Sequence, residues 1–135
     1  MALTKPAIEI LNVASLAAGT TTTASDCTVV IDATTASQVA LEAFVTFDGS
    51  ATGDCRIHMR CASTNSDTYF DQAVSYGADQ DGYFDVPCSA GNTVIGTAPF
   101  DPSFKYGKAY AQNLDGSHAI TRVIVNKIVQ DVAPT

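Results

Sequence analysis

Histidine is the side chain best suited to acid–base chemistry near neutral pH, and this sequence of 135 residues contains only two. His58 alternates with Arg56 and Arg60 along a predicted strand, where the like charges disfavour its protonated form. His118 follows the turn 115–117, and we expect it to be exposed and without a partner. No nucleophile elbow, zinc-protease motif or phosphate-binding loop motif occurs. We therefore expect a protein that is not an enzyme.

Carboxylates are the other side chains with a spacing that suggests chemistry. Asp79, Asp81 and Asp85 surround Gly82, and oxygen ligands in a tight loop suit Ca²⁺. The segment lacks the closing glutamate of an EF-hand, and no helices are predicted on either side of it. We interpret it as a solvated acidic loop at the start of a strand, with a Ca²⁺ site as the alternative. No cofactor is predicted.

The basic residues are concentrated in one place, which we call the basic stripe: Arg56, His58 and Arg60. It holds two of the three arginines of the chain, and over four residue steps it covers about 13 Å of one strand face. Ordinary solvent-facing polarity, with Glu42 on the adjacent strand as an ion-pair partner, is the favoured interpretation. The alternative is a docking surface for an acidic protein, because arginine binds carboxylates with two hydrogen bonds.

Aromatic residues form a second candidate interface. Phe100 and Phe104 lie in the segment 98–104, which is rich in proline, and are placed to anchor a protein partner by burying rigid rings. Some of the neighbouring aromatic residues must fill the core. Exposed tyrosines beside acidic residues would also suit a glycan-binding site, and the candidates for that role are Tyr69, Tyr76 and Tyr83.

The four cysteines, Cys27, Cys55, Cys61 and Cys88, contain no pair with zinc-ligand or thioredoxin-like spacing. Polar residues interrupt the apolar positions near the N-terminus, so we expect no cleaved signal peptide and synthesis in a reducing cytoplasm. Cys55 and Cys61 are predicted about 20 Å apart on one strand, beyond the reach of a disulfide. Buried free thiols are favoured, with a bridge from Cys27 or Cys88 to another strand as the alternative.

Composition excludes several classes of protein. With 46% hydrophobic residues the chain has enough apolar surface to fold, so intrinsic disorder is not expected. Seven basic residues against fourteen acidic ones give a net charge of −7, which disfavours general binding to nucleic acid. No uninterrupted apolar run reaches the length of about 18 residues that a membrane-spanning helix requires, so no membrane association is predicted.

The elements that must position these residues are predicted to be strands, because apolar residues recur at every second position. Residues 38–48 and 55–61 both alternate in this way, and the turn-rich segment between them predicts an antiparallel hairpin. Further strands are predicted at residues 7–16, 27–32, 68–75, 83–87, 92–98, 105–112 and 118–129. Asp115-Gly116 predicts a second hairpin, which would join residues 105–112 to the strand that follows.

Eight or nine short strands separated by turns are typical of an all-β protein. We predict one antiparallel β-sandwich domain over residues 1–135, of the jelly-roll or immunoglobulin-like kind. The N-terminal strand or arm, about residues 1–18, is expected to contact a neighbouring subunit, with its apolar residues adding a strand to that subunit's sheet.

The segments 11–19, 39–47, 67–69, 106–113 and 120–125 give the chain the character of a small, acidic sandwich rich in threonine, alanine and glycine. In these segments it resembles structural proteins from the virions of tailed bacteriophages. The resemblance implies a capsid decoration (cement) protein on the phage head, with the major capsid protein or other virion subunits as partners. It also implies assembly in the host cytoplasm as a dimer or trimer, without catalytic residues. The alternatives are a tail or connector component and a receptor- or glycan-binding module.

Overall fold

Alternating apolar and polar residues form eight strands in the computed structural model, which describes residues 6–74 and 82–131. The strands are β1 (Ala7–Val13), β2 (Ile31–Asp32), β3 (Ala36–Phe47), β4 (Cys55–Ala62), β5 (Tyr83–Val86), β6 (Thr93–Phe100), β7 (Tyr106–Asn113) and β8 (Ile120–Asp131). A 3-10 turn (Ala24–Asp26) and one short helix, α1 (Asp67–Gln72), complete the elements of these residues. No helix within the described residues is long and apolar enough to cross a lipid bilayer.

The strands form two antiparallel sheets of four strands each. Sheet 1 has the order β1-β8-β3-β6, and sheet 2 has the order β2-β7-β4-β5. Every connection except the one from β4 to β5 crosses from one sheet to the other, and this arrangement is a jelly roll. The prediction of an antiparallel β-sandwich is confirmed, and the strand order selects the jelly roll over the immunoglobulin-like alternative.

The core lies between the two sheets and is built from the residues that alternation predicted. The inward positions of β3 are fully buried, and they face the inward positions of β4. These inward residues are Val39, Leu41, Ala43, Val45, Phe47, Cys55, Ile57 and Met59. Burying one large apolar side chain contributes about 1.5–3 kcal/mol, so this layer stabilises the sandwich.

The predicted hairpin of residues 38–48 and 55–61 is wrong. β3 lies in sheet 1 and β4 lies in sheet 2, so the segment between them crosses the end of the sandwich. Alternation requires that each strand bury one face, and two strands on opposite sides of one core satisfy this requirement as well as two paired strands do. Glu42 on β3 is therefore far from the basic stripe on β4, and the expected ion pair between them is absent; Glu42 accepts a hydrogen bond from Asn126 instead.

The predicted hairpin at Asp115-Gly116 is also wrong, because β7 and β8 belong to different sheets. A two-residue hairpin turn of the expected type requires positive φ at both central residues. Within the described residues, the glycines with positive φ are Gly19 and Gly91, and Gly116 is not among them. The Asp115 side chain instead accepts hydrogen bonds from the backbone of another loop.

The predicted strand at residues 68–75 is a helix over most of its length. Residues 67–72 form α1, and Ser75 lies outside the described residues. The helix buries a single aromatic ring, Phe70, on the outer face of sheet 2, whereas Tyr69 is exposed. One buried position in a segment this short is compatible with the two-residue period of a strand and with the 3.6-residue period of a helix. The apolar pattern therefore could not distinguish a strand from a helix here.

The N-terminal residues belong to the sandwich itself. β1 pairs with β8 in antiparallel register from Ala7↔Ile128 to Val13↔Val123, with an irregularity between Glu9 and Leu11. The predicted strand of residues 7–16 is thereby confirmed in its first seven residues as an edge strand of sheet 1. Residues 1–5 of the expected arm lie outside the described residues, so its contact with a neighbouring subunit stays a prediction.

Candidate interaction surfaces

Arg56, at one end of the basic stripe, is held by its own chain. Its guanidinium donates two hydrogen bonds to Asp85 on β5, from Nε to Oδ1 at 2.8 Å and from Nη2 to Oδ2 at 3.1 Å. The same group stacks over the ring of Tyr83, with Cζ 4.1 Å from the ring centre. The pairing of β4 with β5 creates both contacts, since Arg56 is directly opposite Asp85 in the register. This arginine therefore stabilises the edge of sheet 2.

His58 occupies the middle of the stripe and is half-buried. Its Nε2 lies 2.9 Å from Oε1 of Gln112 on β7, and its ring is 5.7 Å from that of Tyr83. Burial, followed by the charges of Arg60 and Arg56, lowers the pKa of His58 below its ordinary value. Like charges on one strand do disfavour the imidazolium, as the sequence predicted, but burial is the larger cause.

Arg60 completes the stripe by contacting the helix. Its guanidinium lies 4.2 Å above the ring of Tyr110, and Nη1 donates to the backbone oxygen of Asp71 in α1 at 3.3 Å. Cation–π contacts of this kind are worth about 0.5–2 kcal/mol. The structure thus brings the three residues of the basic stripe together on one face, as predicted, and surrounds them with intramolecular partners.

Helix α1 covers part of the outer face of sheet 2 through a polar cluster in which Lys108 and Tyr110 are buried and the helix carboxylates are exposed. Lys108 on β7 is only 8% exposed, and its Nζ donates to Oδ1 of Asp67 at 2.8 Å and to the backbone oxygen of Ala24 at 3.0 Å. Asp71 Oδ1 accepts from the Tyr110 hydroxyl at 2.9 Å and from the Ala24 backbone N–H at 2.8 Å. Sequence analysis missed this cluster because its members come from three distant segments.

The two phenylalanines proposed as anchors are half-buried and pack against the main core. Phe100 is the last residue of β6, and Phe104 lies in the connection to β7, where its ring approaches Gly107. A shallow groove of about 420 Å³ lies beside Phe100, and Ala40, Pro99 and Ile128 contribute to its lining. Phe104 instead lines a second groove, of about 400 Å³, together with Cys61 and Lys105. Both rings therefore contribute to the fold, and each borders its own groove.

The Ca²⁺ alternative involves Asp79, Asp81 and Asp85. Asp85 is engaged in the ion pair with Arg56, whereas Asp79 and Asp81 lie outside the described residues. Within residues 6–74 and 82–131, no cluster of three histidine, cysteine, aspartate or glutamate side chains could hold a metal ion. All four cysteines are free thiols, as predicted, but only Cys27 and Cys55 are buried, whereas Cys61 and Cys88 are half-buried. Burial raises the pKa of Cys55 and of Cys61 to about 12.

The outer face of sheet 1 carries the surface that sequence analysis did not single out. Ile95 on β6, Phe44 on β3 and Ile124 on β8 lie side by side in one register row, which we call the apolar row. Ile95 is 59% exposed, and the other two are half-buried. The available signal was Phe44, a large apolar residue at a solvent-facing position of an otherwise regular alternation.

Asp115 organises one end of the sandwich. It is 4% exposed, and one of its oxygens, Oδ2, accepts from the backbone N–H groups of Thr52 at 2.8 Å and Gly53 at 3.3 Å. Its other oxygen, Oδ1, accepts from the N–H groups of Ser117 and His118. His118 Nδ1 also lies 3.1 Å from Oδ2, so the expectation that His118 has no partner is wrong. The N–H groups of Thr52 and then Ser117 hold the pKa of Asp115 far below its ordinary value.

Replacing Asp115 with asparagine is expected to lower the melting temperature at pH 7. The melting temperature of the variant should also fall less than that of the wild type as the pH is lowered. A carboxylate with a depressed folded-state pKa stabilises the fold above its unfolded value, here 3.8, and this contribution is lost as the pH falls towards the folded-state pKa. Thermal unfolding followed between pH 7 and pH 2 measures the effect. Asp48→Asn, at an exposed turn, is the control. Equal pH profiles for both variants would contradict the expectation.

The residues predicted to bind a partner thus lie in three places: the basic stripe on the outer face of sheet 2, Phe100 beside the groove near sheet 1, and Phe104 beside a separate groove next to Cys61. Sequence analysis missed the apolar row, the polar cluster between α1 and sheet 2, and the loop contacts of Asp115. No protein-family model matches the chain, and no curated protein is significantly similar to it.

Proposed function

We propose that this chain is a non-enzymatic structural protein of a tailed-phage virion, a decoration (cement) subunit that stabilises the head through protein–protein contacts. The observation that carries the proposal is the jelly-roll strand order, β1-β8-β3-β6 against β2-β7-β4-β5. Capsid proteins are among the main users of this architecture, together with lectins and cupins. The resemblance of several segments to phage structural proteins points to the same class.

The outer surface supports a role in assembly. The apolar row is flanked on both sides by polar side chains, among them Arg122, Glu42 and Glu9. An apolar centre with a polar rim is the usual composition of a protein–protein interface. The net charge of −7 suppresses unspecific association of free subunits before assembly.

The histidines support a role without catalysis. His58 contacts the amide of Gln112, and His118 contacts the loop carboxylate of Asp115. Both rings therefore contribute to the packing of strands and loops, and neither is part of a motif associated with nucleophilic chemistry. We accordingly propose that the working parts of the molecule are its outer faces.

The test is the location of the chain in particles. Virions from the organism that encodes it are purified on a density gradient and labelled with a gold-conjugated antibody raised against the recombinant chain. We expect the label on the icosahedral heads, at many copies per particle. Absence of the chain from purified particles would overturn the virion role, and label confined to tails would overturn the decoration role.

The basic stripe is a poor place for mutations that test binding to the particle. Reversing the charge of Arg56 would remove its two hydrogen bonds to Asp85, and reversing that of Arg60 would place an acid beside α1. Both changes would damage the fold together with any interface. Substitutions in the apolar row change outward-facing side chains, and they separate binding from stability more cleanly.

A further inference from the structure

The outer faces of the two sheets differ in how they are covered. On sheet 2, α1 and the 3-10 turn pack over Tyr110 and Lys108. On sheet 1, no described element covers the apolar row, and Ile95 is 59% exposed. Large apolar side chains that are contiguous and exposed on a sheet indicate a surface that is covered by a partner.

The register places every outward side chain of sheet 1 in a defined row. Phe44 is opposite Ile95 on one side and opposite Ile124 on the other, and Ile124 is opposite Asn12. Rows repeat every two residues, which corresponds to about 6.8 Å along the strands. The apolar row therefore runs across the strands, with one polar row on each side of it.

The charges of these two polar rows are of opposite sign. Arg122 on β8 lies in the row on one side of the apolar row. Glu42 on β3 and Glu9 on β1 lie in the row on the other side, because both are opposite Asn126. Among the described residues, Arg122 forms no ion pair and donates instead to Oδ1 of Asn12, at 2.6 Å.

We propose that a second copy of this chain covers this face, in a two-fold dimer whose axis runs along the apolar row. Rotation about that axis places each residue of the row against its own copy and exchanges the two polar rows. Arg122 of each copy is then opposite Asn126 of the partner subunit, between Glu9 and Glu42 of the partner subunit. The surface is thus complementary to itself, which is the requirement for a two-fold interface.

The dimensions agree with this arrangement. Face-to-face sheets pack about 10 Å apart, and their strand directions lie within about 30° of each other. An extended arginine side chain crosses most of that distance, so its guanidinium reaches the carboxylates of the facing row. The three apolar side chains would interdigitate at the centre, where water is excluded and the charge pairs around them are strengthened.

Sedimentation of the full chain tests the dimer. We expect the wild-type chain to sediment as a dimer at micromolar concentration. Arg122→Glu places acids on both polar rows, and the double variant Glu9→Arg with Glu42→Arg places bases on both. Each is expected to dimerise at least 10-fold more weakly on its own. An equimolar mixture of the two is expected to form a heterodimer, because every facing pair is then of opposite charge.

The matched control is Val74→Glu, a charge placed at a side chain that is 79% exposed just after α1. This variant is expected to dimerise like the wild type, and circular dichroism verifies that all variants remain folded. A wild-type chain that stays monomeric would overturn the proposal. This holds even if a different protein is found to cover Phe44. Unchanged dimerisation of the charge-reversed variants, or a mixture that forms no heterodimer, would overturn it too.

This dimer does not depend on the proposed virion role. Sedimentation of the isolated chain tests the face of sheet 1, whereas labelling of particles tests the location of the protein. A dimeric chain that is absent from particles would leave the inference standing and remove the proposed function, and a monomeric chain found on heads would do the reverse.

Discussion

Gly53→Ala is expected to destabilise the fold by about 3 kcal/mol, a large fraction of the stability of a domain of this size. A Cβ atom at this position would lie 2.6 Å from both the Cα and the backbone N of Asp115. Backbone atoms cannot rotate away as a side chain can, so the two loops would have to separate. Their separation would also weaken the hydrogen bonds from Thr52 and Gly53 to the Asp115 carboxylate.

Gly49→Ala in the same connection is the matched control. A Cβ at Gly49 meets nothing within 4 Å, and its φ is not in the left-handed region. The free energy of unfolding of the Gly49→Ala variant is expected to stay within about 1 kcal/mol of the wild-type value. Any change should be a small increase, because alanine reduces the conformational freedom of the unfolded chain. Urea unfolding of the three proteins measures both values. A similar midpoint for Gly53→Ala and Gly49→Ala would show that the loops do not meet as closely as the structure has them.

Alternation predicted which side chains face the core, and it could not predict which strand pairs with which. The segment 38–48 was assigned the correct buried face, and β8 was correctly assigned as a long strand. The partners of β3 are β6 and β8, which lie about 50 and 80 residues further along the chain. A jelly roll pairs few consecutive strands, so local turn signals between neighbours in sequence lead to the wrong sheet.

The turn at Asp115-Gly116 shows how a reliable local signal fails. The dipeptide is favoured in two-residue hairpins because both residues tolerate positive φ. Here the carboxylate bonds to backbone N–H groups at Thr52 and Gly53 in another loop, more than 60 residues away. Several charge-assisted hydrogen bonds outweigh the preference of one turn type. Sequence alone does not show that the two loops meet.

The sequence correctly predicted that the basic stripe forms one face of one strand. It did not predict which side chains pair with the stripe. The partners Asp85 and Gln112 come from strands on either side of β4, separated from it by about 30 and 55 residues. Glu42, the partner that sequence analysis expected, lies in the other sheet. Because ion pairs form across a sheet, a wrong sheet order gives a wrong list of partners even where the face is right.

Asp71→Ala is expected to cost about 2–4 kcal/mol and to release α1 from sheet 2. One carboxylate oxygen, Oδ1, accepts from both the Tyr110 hydroxyl and the Ala24 backbone N–H, and alanine leaves both donors without this acceptor. Burial and the Asp71 carboxylate raise the pKa of Tyr110 far above its ordinary value, so the hydroxyl keeps its proton and donates. A six-residue helix is too short to persist on its own, and α1 therefore depends on these contacts.

Asp71→Asn distinguishes hydrogen bonding from charge at this position. Asparagine retains an oxygen that can accept from both donors, so we expect it to cost only about 1 kcal/mol, the part that belongs to the charge. Hydrogen exchange of residues 67–72 should show faster exchange of the α1 amides in the alanine variant and near wild-type protection in the asparagine variant. The amides of β3 and β8, which pack in the main core, are the internal reference. If both substitutions reduce the protection of the α1 amides equally, the charge of Asp71 is its main contribution. If neither reduces this protection, Lys108 and Phe70 hold the helix without Asp71.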